Sequence, residues 1–200
     1  MYYYPYDPRI HNFGNVGIGG KVQAHLSPFI TKGIDFIRYD NRNIRQEVID
    51  YLDTKYRNKH KNILDLCCGS GISTAKYGID TSPDFIEKAR ELYPNKIFEV
   101  ANAENYRPKY NVDVVTSMFA FHEMPEGAHE LIIENAIEIA NKEIIIMDIH
   151  PNYKPSKLMK SGEPYIDEYL DTIQKTMQYH DFKMTTYINN HVAFWNLKLN

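Results

Sequence analysis

Two periodicities alternate along this chain. Short apolar runs bounded by turn-forming residues (Ile63-Leu64-Asp65-Leu66, Tyr77-Gly78-Ile79, Val112 to Phe119 and Glu143 to Asp148) read as buried strands. Between them apolar positions recur at helical spacing. Phe85, Ile86, Ala89 and Leu92 follow a Ser82 N-cap with Pro83 at the first helical position, and Leu131, Ile132, Ala136 and Ile139 form a second stripe. Ile166, Tyr169, Leu170, Ile173 and Met177 form a third. Met184 to Ile188 and Val192 to Leu199 read as two final strands joined through Asn189-Asn190, a hairpin signal. Strand and helix in alternation imply a doubly wound α/β sheet.

The first sixty residues follow another rule. Met1 to Asp7 carries Tyr2, Tyr3, Tyr4 and Tyr6 with Pro5, followed by Pro8, a composition unsuited to a regular element. His11 to Gly20 is glycine-rich but follows no strand, so it fails the context test for a nucleotide loop and reads as a mobile cover over a pocket. From Lys21 to Leu52 two helices are expected, with Pro28 near a boundary and Ile44, Val48, Ile49 and Leu52 at helical spacing. The expected division is 1–60 as tail, glycine-rich loop and helical cap, and 61–200 as the nucleoside-binding domain.

Chemistry concentrates in Ile63-Leu64-Asp65-Leu66-Cys67-Cys68-Gly69-Ser70-Gly71 and in Asp80 after the next strand. A buried strand opening into small residues lets backbone N–H groups approach a ligand, and an acid at the end of the neighbouring strand can accept both hydroxyls of a ribose. A nicotinamide fingerprint needs a third glycine where this chain has Thr74, and a phosphate-binding loop needs a Lys-Ser or Lys-Thr pair that Gly71-Ile72-Ser73 lacks.

What remains, hydrophobic-hydrophobic-Asp-x-x-x-Gly-x-Gly with a downstream acid, resembles motif I and the following strand of class I S-adenosylmethionine-dependent methyltransferases. Asn102-Ala103-Glu104, Val112 to Phe119, Phe121-His122-Glu123-Met124-Pro125 and Glu143 to Asp148 are similar to that family's later motifs, in the same order, over roughly Asn62 to Asn200. The resemblance implies a mostly parallel seven-stranded sheet with an N-terminal helical cap and an antiparallel C-terminal strand. It also implies S-adenosyl-L-methionine as cofactor, leaving as S-adenosyl-L-homocysteine. Asp65, Cys67, Gly69, Gly71, Asp80, Thr81, Ala103, Glu104 and Phe119 fall on the cofactor side, His122 and His150 at catalytic positions, and Tyr6, His11, Asn12 and Glu123 on the acceptor side. No metal ligand is implied. Two departures stand out. Cys67 replaces the usual first glycine, which implies a backbone angle that does not demand one, and Gly71 to Asp80 leaves room for only about one or two helical turns.

Composition narrows the alternatives. A net charge of −3 and a pI near 6.2 provide no field for polyphosphate backbones, which disfavours RNA as acceptor relative to a small molecule. No apolar run of about eighteen residues and no leader are visible, so the expected location is the cytoplasm, as a monomer or homodimer without membrane contact. Two adjacent cysteines make neither a disulfide framework nor a metal site and should stay reduced. Methylation of RNA or protein and non-catalytic cofactor binding are the alternative functions.

Overall fold

The computed structural model describes residues 17–56 and 62–199. In chain order the elements are α1 (Gly17–Arg38), α2 (Ile44–Lys55), β1 (Ile63–Leu66), β2 (Tyr77–Asp80), α3 (Pro83–Leu92), β3 (Ile97–Val100) and β4 (Val112–Met118). A 3-10 turn (Phe121–Glu123) follows, then α4 (Glu126–Ile139), β5 (Ala140–Ile149), α5 (Lys157–Gly162), α6 (Ile166–Tyr179), β6 (Lys183–Ile188) and β7 (Val192–Lys198). The strands form one seven-stranded sheet in the order β3-β2-β1-β4-β5-β7-β6. β1 to β5 pair in parallel, and β7 runs antiparallel to both β5 and β6.

Side chains along β5 alternate between two cores, as a pleat of period two requires. Ile144 and Ile146 pack with Ile132, Ile133 and Ala136 of α4 and Tyr169, Ile173 and Met177 of α6. Ile145 and Met147 face the other way, onto Ile44, Val48 and Leu52 of α2. The expected stripe on α4 is rotated slightly: Leu131 is exposed, while Ala128 and Ile133 take the buried face. Similarly, Ile86 and Ala89 of α3 are buried and Leu92 is exposed.

The N-terminal region departs most from expectation. Gly17 to Gly20, read as part of a loop, form the first turn of α1, and Pro28 sits inside that helix. A proline there has no N–H for the carbonyl of Ala24, and the Ser27 hydroxyl, 3.3 Å from Ala24 O, takes over that acceptor. α2 is fixed to the sheet by a buried charge: Glu143 on β5 accepts from Lys55 Nζ at 2.5 Å, Tyr56 Oη at 2.8 Å and Asn196 Nδ2 at 2.6 Å. At its other end, Glu47 takes a paired hydrogen bond from Arg42 and a third from Tyr187 Oη.

The link from β1 to β2 is the fold's unusual feature. No helix forms between Leu66 and Tyr77. The segment is instead pinned from below by Asp65, a fully buried carboxylate that accepts from Ser73 Oγ at 2.7 Å, Thr74 Oγ1 at 2.9 Å and Thr116 Oγ1 at 3.0 Å. Lys96 Nζ donates to Thr74 O from the far side. A Cβ on Gly78 would lie 2.9 Å from Cys68 Sγ and from Thr74 Oγ1, so the segment packs flat on β2 only because that position has no side chain.

Burial raises the Asp65 carboxyl to about 6, against the lowering effect of the three hydroxyls and Lys96. Because the folded value exceeds the unfolded one, this residue stabilises the fold fully at pH below about 4, and that contribution is lost as pH rises through about 6. Asp65→Asn, neutral throughout, should flatten the change in unfolding free energy between those two values by roughly 2–3 kcal/mol. Urea titrations of both proteins across that interval measure it, and parallel pH profiles would contradict the assignment.

Candidate active site

A cavity of about 830 Å³ opens where the carboxyl ends of β1, β2 and β4 face α1. Open parallel sheets bind ligands at this edge, and the volume lies within the usual range for small-molecule sites. The loop after β1 forms its floor. Cys67 has φ +58°, so the residue in place of the usual glycine does adopt the left-handed backbone that the sequence was read as avoiding. A β-carbon there carries strain of order 1–2 kcal/mol. Gly69 (φ +52°) turns its N–H onto Asp80 Oδ2 at 2.9 Å, and Ser82 N donates to Asp80 Oδ1 at 2.9 Å. Thr81 N–H also contributes, and a carboxylate with about four acceptor sites keeps capacity for a ligand. Burial raises the Asp80 carboxyl, and the backbone donors partly reverse this.

Seven of the nine residues read as cofactor-facing line the cavity: Cys67, Gly69, Asp80, Thr81, Ala103, Glu104 and Phe119. The other two serve the floor from behind. Asp65 reaches the cavity only through Ser73, which lines it. Gly71 (φ +83°) is turned into the protein, where a Cβ would meet Phe98 Cζ at 2.7 Å. Along the wall, Asn102 Oδ1 accepts from Glu104 N at 2.9 Å and sets the turn that presents Ala103 and Glu104. Phe119, at φ +58°, leaves the end of β4 with its N–H still on Met147 O at 2.8 Å. Both cysteines are free, and burial pushes their thiols up, which favours the protonated form.

The 3-10 turn after β4 is organised by Asp148. Its Oδ2 accepts from Phe121 N at 2.8 Å, and its Oδ1 pairs with His122 Nδ1 at 2.6 Å and accepts from Ile149 N at 2.7 Å. Burial pulls the His122 imidazole down, but the charge and hydrogen bond of Asp148 outweigh it and carry the value up to about 9. His122 therefore lines the cavity beside a carboxylate that favours its protonated form. Glu123 lies beside it in the cavity wall, its carboxyl raised by burial. His150 is not part of the cavity. Its Nδ1 accepts from Asn152 N at 3.0 Å and its Nε2 pairs with Thr186 Oγ1 at 3.3 Å, so it closes the turn after β5. Tyr6, His11 and Asn12 lie outside the described residues.

Sequence reasoning expected a helical cap but did not name the residues with which it lines the cavity. Ser27 of α1 shares a hydrogen bond with Ser70 of the floor at 3.1 Å, and Ile30, Ile34 and Arg38 follow it along the cavity. Tyr39 stacks on Phe119 with ring centres 6.5 Å apart, and the Arg45 guanidinium lies 4.3 Å above the Phe119 ring. Tyr153 and His191, 4.8 Å apart, continue the wall from Tyr39, whose ring centre lies 5.4 Å from that of His191, and Glu163 ends α5 against the same space. Helical spacing marked the buried face of α2 but gave no signal for which residues of α1 would meet the site.

Comparison with known proteins agrees with this architecture. Residues 63–143 match a family described as "Methyltransferase domain". Among curated proteins the chain is 32% identical over 74 residues to trans-aconitate 2-methyltransferase of Escherichia coli O1:K1 / APEC, a match covering 32% of this chain and 29% of the relative. It is also 32% identical over 81 residues to the enzyme of that name from Rhodopseudomonas palustris (strain BisB5), covering 36% and 32%. The alignments thus span about a third of those relatives' length. Among solved structures, magnesium protoporphyrin IX methyltransferase from Synechocystis PCC 6803 with bound SAM superposes with TM-score 0.57 at 14% identity, covering 94% of this chain and 87% of that one. An S-adenosylmethionine-dependent methyltransferase from Clostridium acetobutylicum ATCC 824 gives 0.60 at 12%, covering 88% and 99%. These likenesses show the fold. The fold is that of the class I, Rossmann-like methyltransferases, and the matched segment is similar to their methyltransferase domain. Residues 63–143, less than half of the chain, are the part that is similar to the methyltransferase domain family.

Asp148 carries the greatest structural demand in the site. Asp148→Ala should cost ~3–5 kcal/mol, because it leaves His122 buried without its counter-charge and strips the acceptor from two backbone N–H groups. Chemical denaturation measures the loss. A cost below ~1 kcal/mol would show that the turn is held by other means.

Proposed function

We propose that the protein transfers the methyl group of S-adenosyl-L-methionine to a small-molecule acceptor in the cavity beneath α1. The observation that carries this reading is Asp80, presented at the end of β2 with two backbone donors behind its carboxylate, beside a floor loop and a wall that suit a nucleoside bearing an amino-acid tail. Asp80 binds the ribose hydroxyls, the wall at Ala103 and Glu104 borders the adenine, and the loop from Cys67 to Ser70 with Phe119 flanks the methionine portion. The described part of residues 1–60 acts as cover, with α2 fused into the core of the 61–200 domain.

Transfer is an in-line displacement. The acceptor's lone pair forms the new bond to the methyl carbon while the carbon–sulfur pair returns to sulfur, so the sulfonium becomes the neutral thioether of S-adenosyl-L-homocysteine. Alignment supplies most of the acceleration, an entropic term worth up to ~7–11 kcal/mol when the reacting atoms are well held. Tyr39, Phe119 and Tyr153 wall the acceptor space with aromatic faces, which suit a cationic centre and keep water out. His122, held as a cation by Asp148, donates a hydrogen bond and does not remove a proton. An acceptor arriving already deprotonated, or losing its proton to solvent, fits this site.

The absence of a helix long and apolar enough to cross a membrane among the described residues is consistent with a diffusible acceptor. The decisive experiment incubates the protein with methyl-labelled cofactor and pooled metabolites. One labelled small product supports the reading, label in RNA or protein redirects it, and cofactor binding without turnover with any acceptor makes this a binding protein. Separately, Asp80→Asn should weaken S-adenosyl-L-homocysteine binding tenfold to a hundredfold, or ~1.5–3 kcal/mol, and should lower the melting temperature because its amide nitrogen faces the N–H of Gly69 or Ser82. Titration calorimetry tests it, and an unchanged affinity removes Asp80 from the site.

A further inference from the structure

His122, Glu123 and Glu163 each offer a ligand atom within 4.8 Å of the others, and all three line the cavity. They come from two separate elements, the turn after β4 and the end of α5. Their surroundings are those of a cation site. Asp148 holds His122 through Nδ1, the carboxylate–imidazole arrangement that orients histidine ligands and leaves Nε2 for another partner. Glu163 Oε2 is shut off from solvent and accepts no hydrogen bond from any described residue, an expensive position for a carboxylate oxygen unless something positive occupies the space before it.

We propose that His122, Glu123 and Glu163 bind a divalent metal ion at the acceptor end of the cavity. One nitrogen and two carboxylate donors suit a first-row ion of intermediate hardness such as Mn²⁺ or Zn²⁺. Three protein ligands leave coordination positions open toward the cavity, the pattern of a site that also binds substrate. This extends the methyltransferase reading and rests on it in one respect: the acceptor that fills those positions is an oxygen chelator, such as a hydroxy acid or vicinal diol, whose hydroxyl the ion acidifies. Binding would release the proton from His122 Nε2, freeing that nitrogen as a ligand, and the ion would supply the acidification of the acceptor hydroxyl. The metal site itself is independent of that reading.

The test uses Mn²⁺ alone, added to the full chain and followed by loss of the free-ion electron paramagnetic resonance signal, with Zn²⁺ competition and S-adenosyl-L-homocysteine affinity measured on the same samples. The expected result is one saturable Mn²⁺ site, displaced by Zn²⁺ and weakened at least tenfold in Glu163→Gln, whose affinity for S-adenosyl-L-homocysteine stays within about threefold of the parent. No saturable binding below about 1 mM, or equal binding by Glu163→Gln, overturns the metal site. If either occurs while S-adenosyl-L-homocysteine still binds, the methyltransferase reading survives. If Mn²⁺ binds and S-adenosyl-L-homocysteine does not, the metal site stands and the cofactor assignment falls.

Discussion

Everything at this sheet edge depends on a carboxylate that never reaches it. A parallel connection ordinarily runs through a helix that covers one face of the sheet and holds the preceding loop in place. Between β1 and β2 this chain has no such helix, and the work passes to Asp65, whose three hydroxyl partners lie on the loop itself and on β4. The anchor is short-range and directional where a helix would be broad and apolar. It sets the height of the segment above the sheet, and through Ser73 and Thr74 it sets the approach of the chain into β2, hence where Asp80 emerges.

The missing helix also explains the cover. A face left open beside α3 exposes apolar surface unless another element takes the place, and α1 does so, passing over α3 with Ser27 on Ser70. Because α1 stands in for a scaffold helix, its inner residues become cavity lining, and the segment that completes the fold is also the one that shapes the acceptor space. Glu143 makes the arrangement firm: a carboxylate 1% exposed, satisfied by Lys55, Tyr56 and Asn196, ties α2 to β5 and β7 at once. Removing any of these partners strands a buried carboxylate, so α2 resists dissociation from the sheet.

The sheet was legible because its information is local. Apolar runs, the Ser82-Pro83 helix start and the Asn189-Asn190 turn each state their element within a few residues, and Asn190 does take the positive φ that such a turn uses. Most of the cavity floor and wall was legible for the same reason, since a strand end and the loop after it are defined by spacing. What spacing cannot state is which way a residue faces once the chain bends. Asp65 and Gly71 lie within the correct motif yet turn inward, one to hydroxyls and the other to Phe98. His150 follows the correct strand but folds back over its own turn. The Asp148–His122 pair spans 26 residues and the Lys55–Glu143 pair 88, so no single stretch of sequence holds either of them. Pro28 misled for a subtler reason: the helix it should have ended continues because a neighbouring hydroxyl took up the abandoned carbonyl.

The strain in the site points the same way as its charges. Cys67 and Phe119 both hold left-handed backbone with a full side chain, at the ends of the two central strands that bracket the cavity. Such positions persist only where the surroundings over-determine them. At Cys67 the following amide is bound to Ile79 O and the next but one to the Asp80 carboxylate, while at Phe119 the amide stays on Met147 O and the ring is held between Tyr39 and Arg45. Each sharp bend turns the backbone away from the sheet just where a ligand would enter, and each is secured by a hydrogen bond to the neighbouring strand. The cavity floor is therefore set before any ligand arrives, and binding need not supply the energy to shape it.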